Sequence, residues 1–153
     1  MRILNGKGLR KLFLVALVIF AFAFAACEED TRVSISDSGN PPTFKLTGNG
    51  NLTLFIVVGP YNSLGELESN KPDVDVIWQI SADTTKKISN LPDITYGNLP
   101  PGFLQSTPKS GAPPALEEGK FYSIGTPSIG ANFESLCFKL DKNTVIKVGC
   151  RER

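Results

Sequence analysis

Between its glycine and proline breaks, this chain places apolar residues at every second position. The clearest run is Val74, Val76, Trp78 and Ile80, with Asp75, Ile77 and Gln79 between them. A period of two puts alternate side chains on one face of an extended strand. Thr43–Thr47 alternates the same way, with Phe44 and Leu46 on one face. Leu52–Val58 begins alternating and ends fully apolar, as a strand does when it enters a buried region. Near the C-terminus Leu136, Phe138 and Leu140 alternate with Cys137 and Lys139. Asp141-Lys142-Asn143 then turns the chain into Thr144–Val148, with Ile146 and Val148 on one face and Val145 and Lys147 on the other. The 14 glycines and 11 prolines argue against long helices and for short strands joined by turns.

The segments between these runs read less sharply. Arg32–Ile35 is either a short edge strand or part of a spacer. Gly48-Asn49-Gly50-Asn51 supplies residues that tolerate positive φ, so it predicts a hairpin between the strands on either side. Residues 61–72 read as a polar loop, Ser81–Asn90 as a turn and link, and Leu91–Tyr96 as a brief strand. Trp78 reads as a core anchor. The prolines of Gly97–Gln105 and Thr107–Pro114 belong to an edge or a loop. Such segments either cap the end of a sandwich or present aromatic side chains to a ligand. In the second case Tyr96 and Phe103 are the candidate ligand-loop residues.

Leu116-Glu117-Glu118-Gly119-Lys120-Phe121-Tyr122 holds a Leu-x-x-Gly-x-x-Tyr pattern. It resembles the corner before a late strand in fibronectin type III and immunoglobulin-like sandwiches. The resemblance implies a tight turn at Gly119 and a buried Tyr122 whose hydroxyl bonds back to the corner backbone. The spacing from Trp78 to Tyr122 is similar to that between the core tryptophan and corner tyrosine of such domains. The expected fold is therefore all-β, an immunoglobulin-like or fibronectin type III-like antiparallel β-sandwich over residues 43–153, after an N-terminal signal helix.

The N-terminus has a different character. Arg2, Lys7, Arg10 and Lys11 precede an uninterrupted apolar run, Leu12–Ala26, of fifteen residues. A membrane-crossing helix needs about 20. A basic start, a short apolar core and small residues before a cut site make a signal peptide. Phe24-Ala25-Ala26-Cys27 resembles a bacterial lipobox, with Phe24 where that pattern prefers leucine. The resemblance implies cleavage before Cys27 and a thioether-linked diacylglycerol on its sulfur, often with a third, amide-linked acyl chain such as palmitate. Two or three chains make a stable anchor where one does not. The other reading is an ordinary secretory peptide with Cys27 incidental. The expected organisation is a signal peptide over 1–26, a lipidated acidic tether over 27–42, and the sandwich. Glu28-Glu29-Asp30 reads as a solvated tether. In the lipoprotein resemblance it leans toward an outer-membrane place in the cell envelope, periplasmic or surface-facing.

Chemistry is limited by what is missing. The chain has no histidine, which excludes Ser-His-Asp and Cys-His nucleophile pairs and the usual histidine zinc sites. Removing residues 1–26 removes four of the 16 basic residues and none of the 15 acids, so the mature charge is 12 − 15 = −3. With no Lys/Arg cluster, nucleic acid is a poor partner. Asp73 and Asp75 beside Lys71 read as a solvated face. Asp141-Lys142-Asn143 begins like a calcium loop but lacks its glycine and terminal glutamate. No segment has the spacing of a phosphate loop.

Cys137 and Cys150 are candidates for a disulfide. A two-residue turn at Lys142-Asn143 pairs residues whose numbers sum to 285, which sets Cys150 opposite Ser135 and diagonal to Cys137. Diagonal neighbours lie about 7–8 Å apart, beyond the usual reach of the bond. A three-residue turn makes the sum 284, sets Cys150 opposite Glu134 and points the two thiols to opposite faces. A regular ladder therefore disfavours the bridge; a bulge or a bent tail after Gly149 permits it.

The expected function is a non-catalytic, membrane-anchored envelope lipoprotein whose sandwich acts as a binding or structural module, with no cofactor and no metal. Its partners would be the membrane, through the N-terminal lipid, and an envelope protein or polysaccharide. The alternative is a ligand- or carbohydrate-binding lipoprotein that uses the Tyr96–Phe103 loop. An enzyme would have to work with Asp, Glu or Lys alone.

Overall fold

The computed structural model describes residues 31–69, 75–126 and 135–150. The signal segment 1–26, Cys27, the acids at 28–30, Lys71, Asp73, Val74 and the tail 151–153 lie outside the described residues.

Among the described residues nine strands form two antiparallel sheets. They are β1 (Arg32–Asp37), β2 (Thr43–Thr47), β3 (Asn51–Tyr61), β4 (Val76–Lys87), β5 (Ile94–Thr95), β6 (Phe103–Thr107), β7 (Phe121–Gly125), β8 (Leu136–Asp141) and β9 (Thr144–Val148). The smaller sheet has three strands, in the order β1-β2-β5, and the larger has six, in the order β6-β4-β3-β7-β8-β9. The expected two-sheet β-sandwich is the fold. Each strand turns its apolar face inward, so the sequence period of two becomes the sandwich interior.

The interior is organised by a chain of aromatic rings that runs between the sheets. Tyr96 meets Trp78 edge-on at 5.3 Å, and Trp78 meets Phe55 edge-on at 5.8 Å. Phe55 lies 6.0 Å from Phe44, Phe44 lies 5.6 Å from Phe138, and Phe138 stacks on Tyr122 at 5.3 Å. Phe44 is the smaller sheet's contribution and links the two halves of the chain. Contacts of this geometry add about 0.5–1.5 kcal/mol each beyond area burial.

Several expectations change here. The turn at residues 48–50 does not close a hairpin. β2 pairs with β1 and β5, whereas β3 pairs with β4 and β7. The turn instead carries the chain from one sheet to the other, so that Phe44 and Phe55 meet face to face across the core rather than side by side. Ser81–Asn90 is not a link: β4 continues to Lys87, and Lys86 and Lys87 pair with Leu52 and Asn51 after a register shift. Only Ile88–Asn90 is a turn, of 3-10 type. Its polar composition hid this half of the strand, because a strand exposed on both faces has no apolar period. Part of the segment expected as a tether is a strand instead. β1 pairs along its whole length with β2, and Val33 is buried, so the sandwich begins at Thr31 and not at residue 43.

The loop expected over residues 61–72 contains a helix, α1 (Leu64–Ser69). Ser63 Oγ accepts from the Glu66 N–H at 3.2 Å, and the Glu66 carboxylate accepts from the Asn62 N–H at 2.8 Å. This closely follows a capping box, which satisfies amides at a helix start that have no partner within the helix. Leu67 packs with Val58, Tyr61 and Cys137, which form a second small cluster apart from the main core.

Candidate functional site

The corner motif is built as the resemblance implied. Gly119 adopts φ 76°, and its N–H donates to Leu140 O at 2.9 Å. The Tyr122 ring is fully buried, and its hydroxyl accepts from the Glu117 N–H at 2.7 Å. One detail of the resemblance fails. In immunoglobulin-type sandwiches the tryptophan strand neighbours the strand of the corner tyrosine. Here β3 lies between β4, which carries Trp78, and β7, which carries Tyr122. β3 meets Tyr122 through Gly59. A Cβ on Gly59 would lie 2.6 Å from Tyr122 Cδ1, and its φ of 141° already demands glycine.

The Gly/Pro segments surround one side chain that sequence reasoning passed over. Gln105, on the edge strand β6, accepts from Trp78 Nε1 at 3.1 Å. Its amide nitrogen donates to Pro108 O at 2.8 Å and Gly111 O at 2.9 Å. Gln105 therefore holds the loop after β6 against the core and gives the buried indole N–H its partner. Tyr96 serves the same loop from the other side, donating its hydroxyl to Pro114 O at 2.7 Å. No periodicity marks Gln105; its place at the end of the Gly97–Gln105 segment was its only trace.

This geometry counts against the candidate ligand loop. Tyr96 and Phe103 are 6% and 4% exposed, with Tyr96 packed on Trp78. Both rings belong to the core. Burial raises the Tyr96 phenol above its ordinary range, and the nearby Tyr122 phenol adds to the effect. Burial also raises Tyr122, opposed in part by the Glu117 N–H. Both phenols are held neutral, as structural hydrogen-bonding groups.

The last hairpin decides the cysteines. Asp141 pairs with Thr144 and Cys137 with Val148, the register expected for a two-residue turn. Lys142 and Asn143 both have positive φ, 49° and 61°, as a type I′ turn requires. The Glu118 carboxylate accepts from both of their backbone N–H groups, and Asn40 Nδ2 donates to Asn143 Oδ1 at 3.1 Å. The ladder ends at Val148, and the chain beyond Gly149 bends enough to bring the Cα atoms of Cys137 and Cys150 to 5.4 Å, where a disulfide joins them. The bent tail, not the regular ladder, is the geometry adopted. Cys150 Sγ also lies 3.4 Å from Ser135 O, a contact without a proton to share.

Among the described residues, no group of three or more Cys, Asp or Glu is placed to hold a metal ion. Asp75 accepts from the Tyr61 hydroxyl at 3.0 Å, a structural contact at the start of β4. Among the same residues no helix is long and apolar enough to cross a membrane. The chain matches no protein-family model, no curated protein and no solved structure.

Proposed function

We infer that this is a lipid-anchored protein of a bacterial cell envelope, exported, cut before Cys27 and displayed as a small non-catalytic sandwich module. The observation that carries the reading is the basic and apolar N-terminal segment ending in Ala25-Ala26-Cys27. The pairing of the other two cysteines supports it. A disulfide between Cys137 and Cys150 suits an oxidising compartment outside the cytoplasm. It leaves Cys27 as the one cysteine with its thiol available for alkylation. The buried Tyr96 and Phe103 speak against the alternative ligand loop and for a module that acts through its outer surface. An envelope protein or polysaccharide is the partner class we assign to that surface, with the outer membrane as the place.

The test is the intact mass of the full chain expressed in a bacterial host and extracted from membranes in detergent. The expected mass is residues 27–153 plus two or three acyl chains, with membrane association lost in Cys27→Ser. A mature chain without acyl mass overturns the anchor.

A further inference from the structure

The strand directions gather many of the charged side chains at the two ends of the sandwich, and these ends differ in sign, while Lys45 in mid-β2, Asp93 and Lys109 belong to neither group. β1 starts, β2 ends, β3 starts and β4 ends at the same pole, because Arg32 pairs with Thr47 and Asn51 with Lys87. Arg32, Lys86 and Lys87 gather there, with Asp83 as the acid beside them, 3.2 Å from Lys86. The opposite pole holds Asp37, Glu66, Asp75, Glu117, Glu118 and Asp141 against Lys120, Lys139, Lys142 and Lys147. Among the described residues the first pole is basic and the second acidic.

The chain enters the domain at the basic pole. Only residues 28–30 separate Cys27 from Thr31. Four Cα steps reach at most about 14 Å. The eleven-residue β3 alone spans about 35 Å. A chain held in the membrane at Cys27 therefore cannot bring the acidic pole to the lipid while the basic pole points away. The acids at 28–30 lie close to the headgroups in any orientation, so they do not choose between end-on docking and a freely tumbling domain.

We propose that the domain docks end-on against an anionic lipid surface through Arg32, Lys86 and Lys87, with its acidic pole turned outward. This rests on the anchor reading above. The occupant is the headgroup layer that the tether brings within reach, and the sign of the pole matches it. At physiological salt, charges act over about 8 Å, so the lysines must stand close to the phosphates to be held. The acidic pole, including the corner and the β8–β9 turn, then becomes the face free for a protein or polysaccharide partner.

The test uses the full lipidated protein in vesicles of phosphatidylglycerol and phosphatidylethanolamine, with phosphatidylcholine vesicles as the neutral control. Amine labelling is read residue by residue by mass spectrometry. Lys86 and Lys87 should be protected about fivefold on the anionic vesicles, the factor expected from one basic group near such a surface. Lys120 and Lys142 should be unchanged, and high salt should restore labelling. Lys87→Glu should weaken the protection of Lys86 and leave the acyl mass unaltered. Equal labelling at both poles, with the acyl chains present, overturns the docking and leaves the anchor standing. A sample without acyl mass overturns the anchor and, with it, the tether argument for docking.

Discussion

At the scale of single residues, the core depends on a few polar atoms and one missing side chain. Tyr122→Phe keeps the ring but leaves the Glu117 N–H without its acceptor at 2.7 Å. An unmade hydrogen bond at a part-buried group costs about 1–3 kcal/mol, so urea unfolding should show a loss in that range with an unchanged slope. Gly59→Ala brings a Cβ to 2.6 Å from the Tyr122 ring at a φ of 141°. Overpacking of this kind costs about 1–3 kcal/mol, and the backbone strain adds to it, so this variant should fall below Tyr122→Phe in denaturant midpoint. A wild-type midpoint for Gly59→Ala would show that β3 can shift away from β7. The corner tyrosine was legible because its pattern is local. Gly59 was not, because its constraint comes from a ring 63 positions away in the chain.

At the scale of elements, the β8–β9 hairpin is held by its turn, by Glu118 and by the disulfide. The bridge closes a loop with a sequence separation of 13. Chain entropy assigns a loop of that size about 3 kcal/mol. Cys137→Ser with Cys150→Ser should therefore lose about that much in equilibrium unfolding, and reductant should no longer affect the midpoint. An unchanged stability would mean that the clamp from Glu118 and Asn40 already holds the hairpin in the unbridged chain. The sequence left the register of this hairpin between a two- and a three-residue turn, and positive φ at Lys142 and Asn143 selects the first. α1 was read as loop although Ser63-x-x-Glu66 is a helix-start pattern, because polar residues surround it. The exposed half of β4 had no such mark.

At the scale of the whole molecule, two features concern the domain rather than any element. The first is its alkaline limit. Burial raises Tyr96 above its ordinary value, so folding is favoured fully below about pH 10, the unfolded phenol's range, and that contribution declines as pH rises past it. Thermal midpoints should fall as pH rises from about 10 to about 11. Tyr96→Phe should flatten that fall while lowering the midpoint at neutral pH through the lost bond to Pro114 O. The second is the opposition of charge between the poles, which depends on strand direction. Lys86 and Lys87 are 54 and 55 positions from Arg32 in the chain, and only the pairing of β4 with β3 brings them to one end.

The sequence by itself determined the class of fold, the corner at Tyr122 and the place of the last hairpin, and it alone carries the proposed export signal and Cys27. These depend on local pattern: a period of two, a turn of fixed length, a run of apolar residues beside a cysteine. Only the tertiary structure decided that β2 and β3 lie in different sheets, that Tyr96 and Phe103 are core residues, and that the tail bends far enough for Cys150 to reach Cys137. A period of two says which face of a strand is buried but not against which partner. That choice is made by how apolar faces from distant parts of the chain close over one another. Around Trp78 they close to leave Gln105 as the group that joins core and loop.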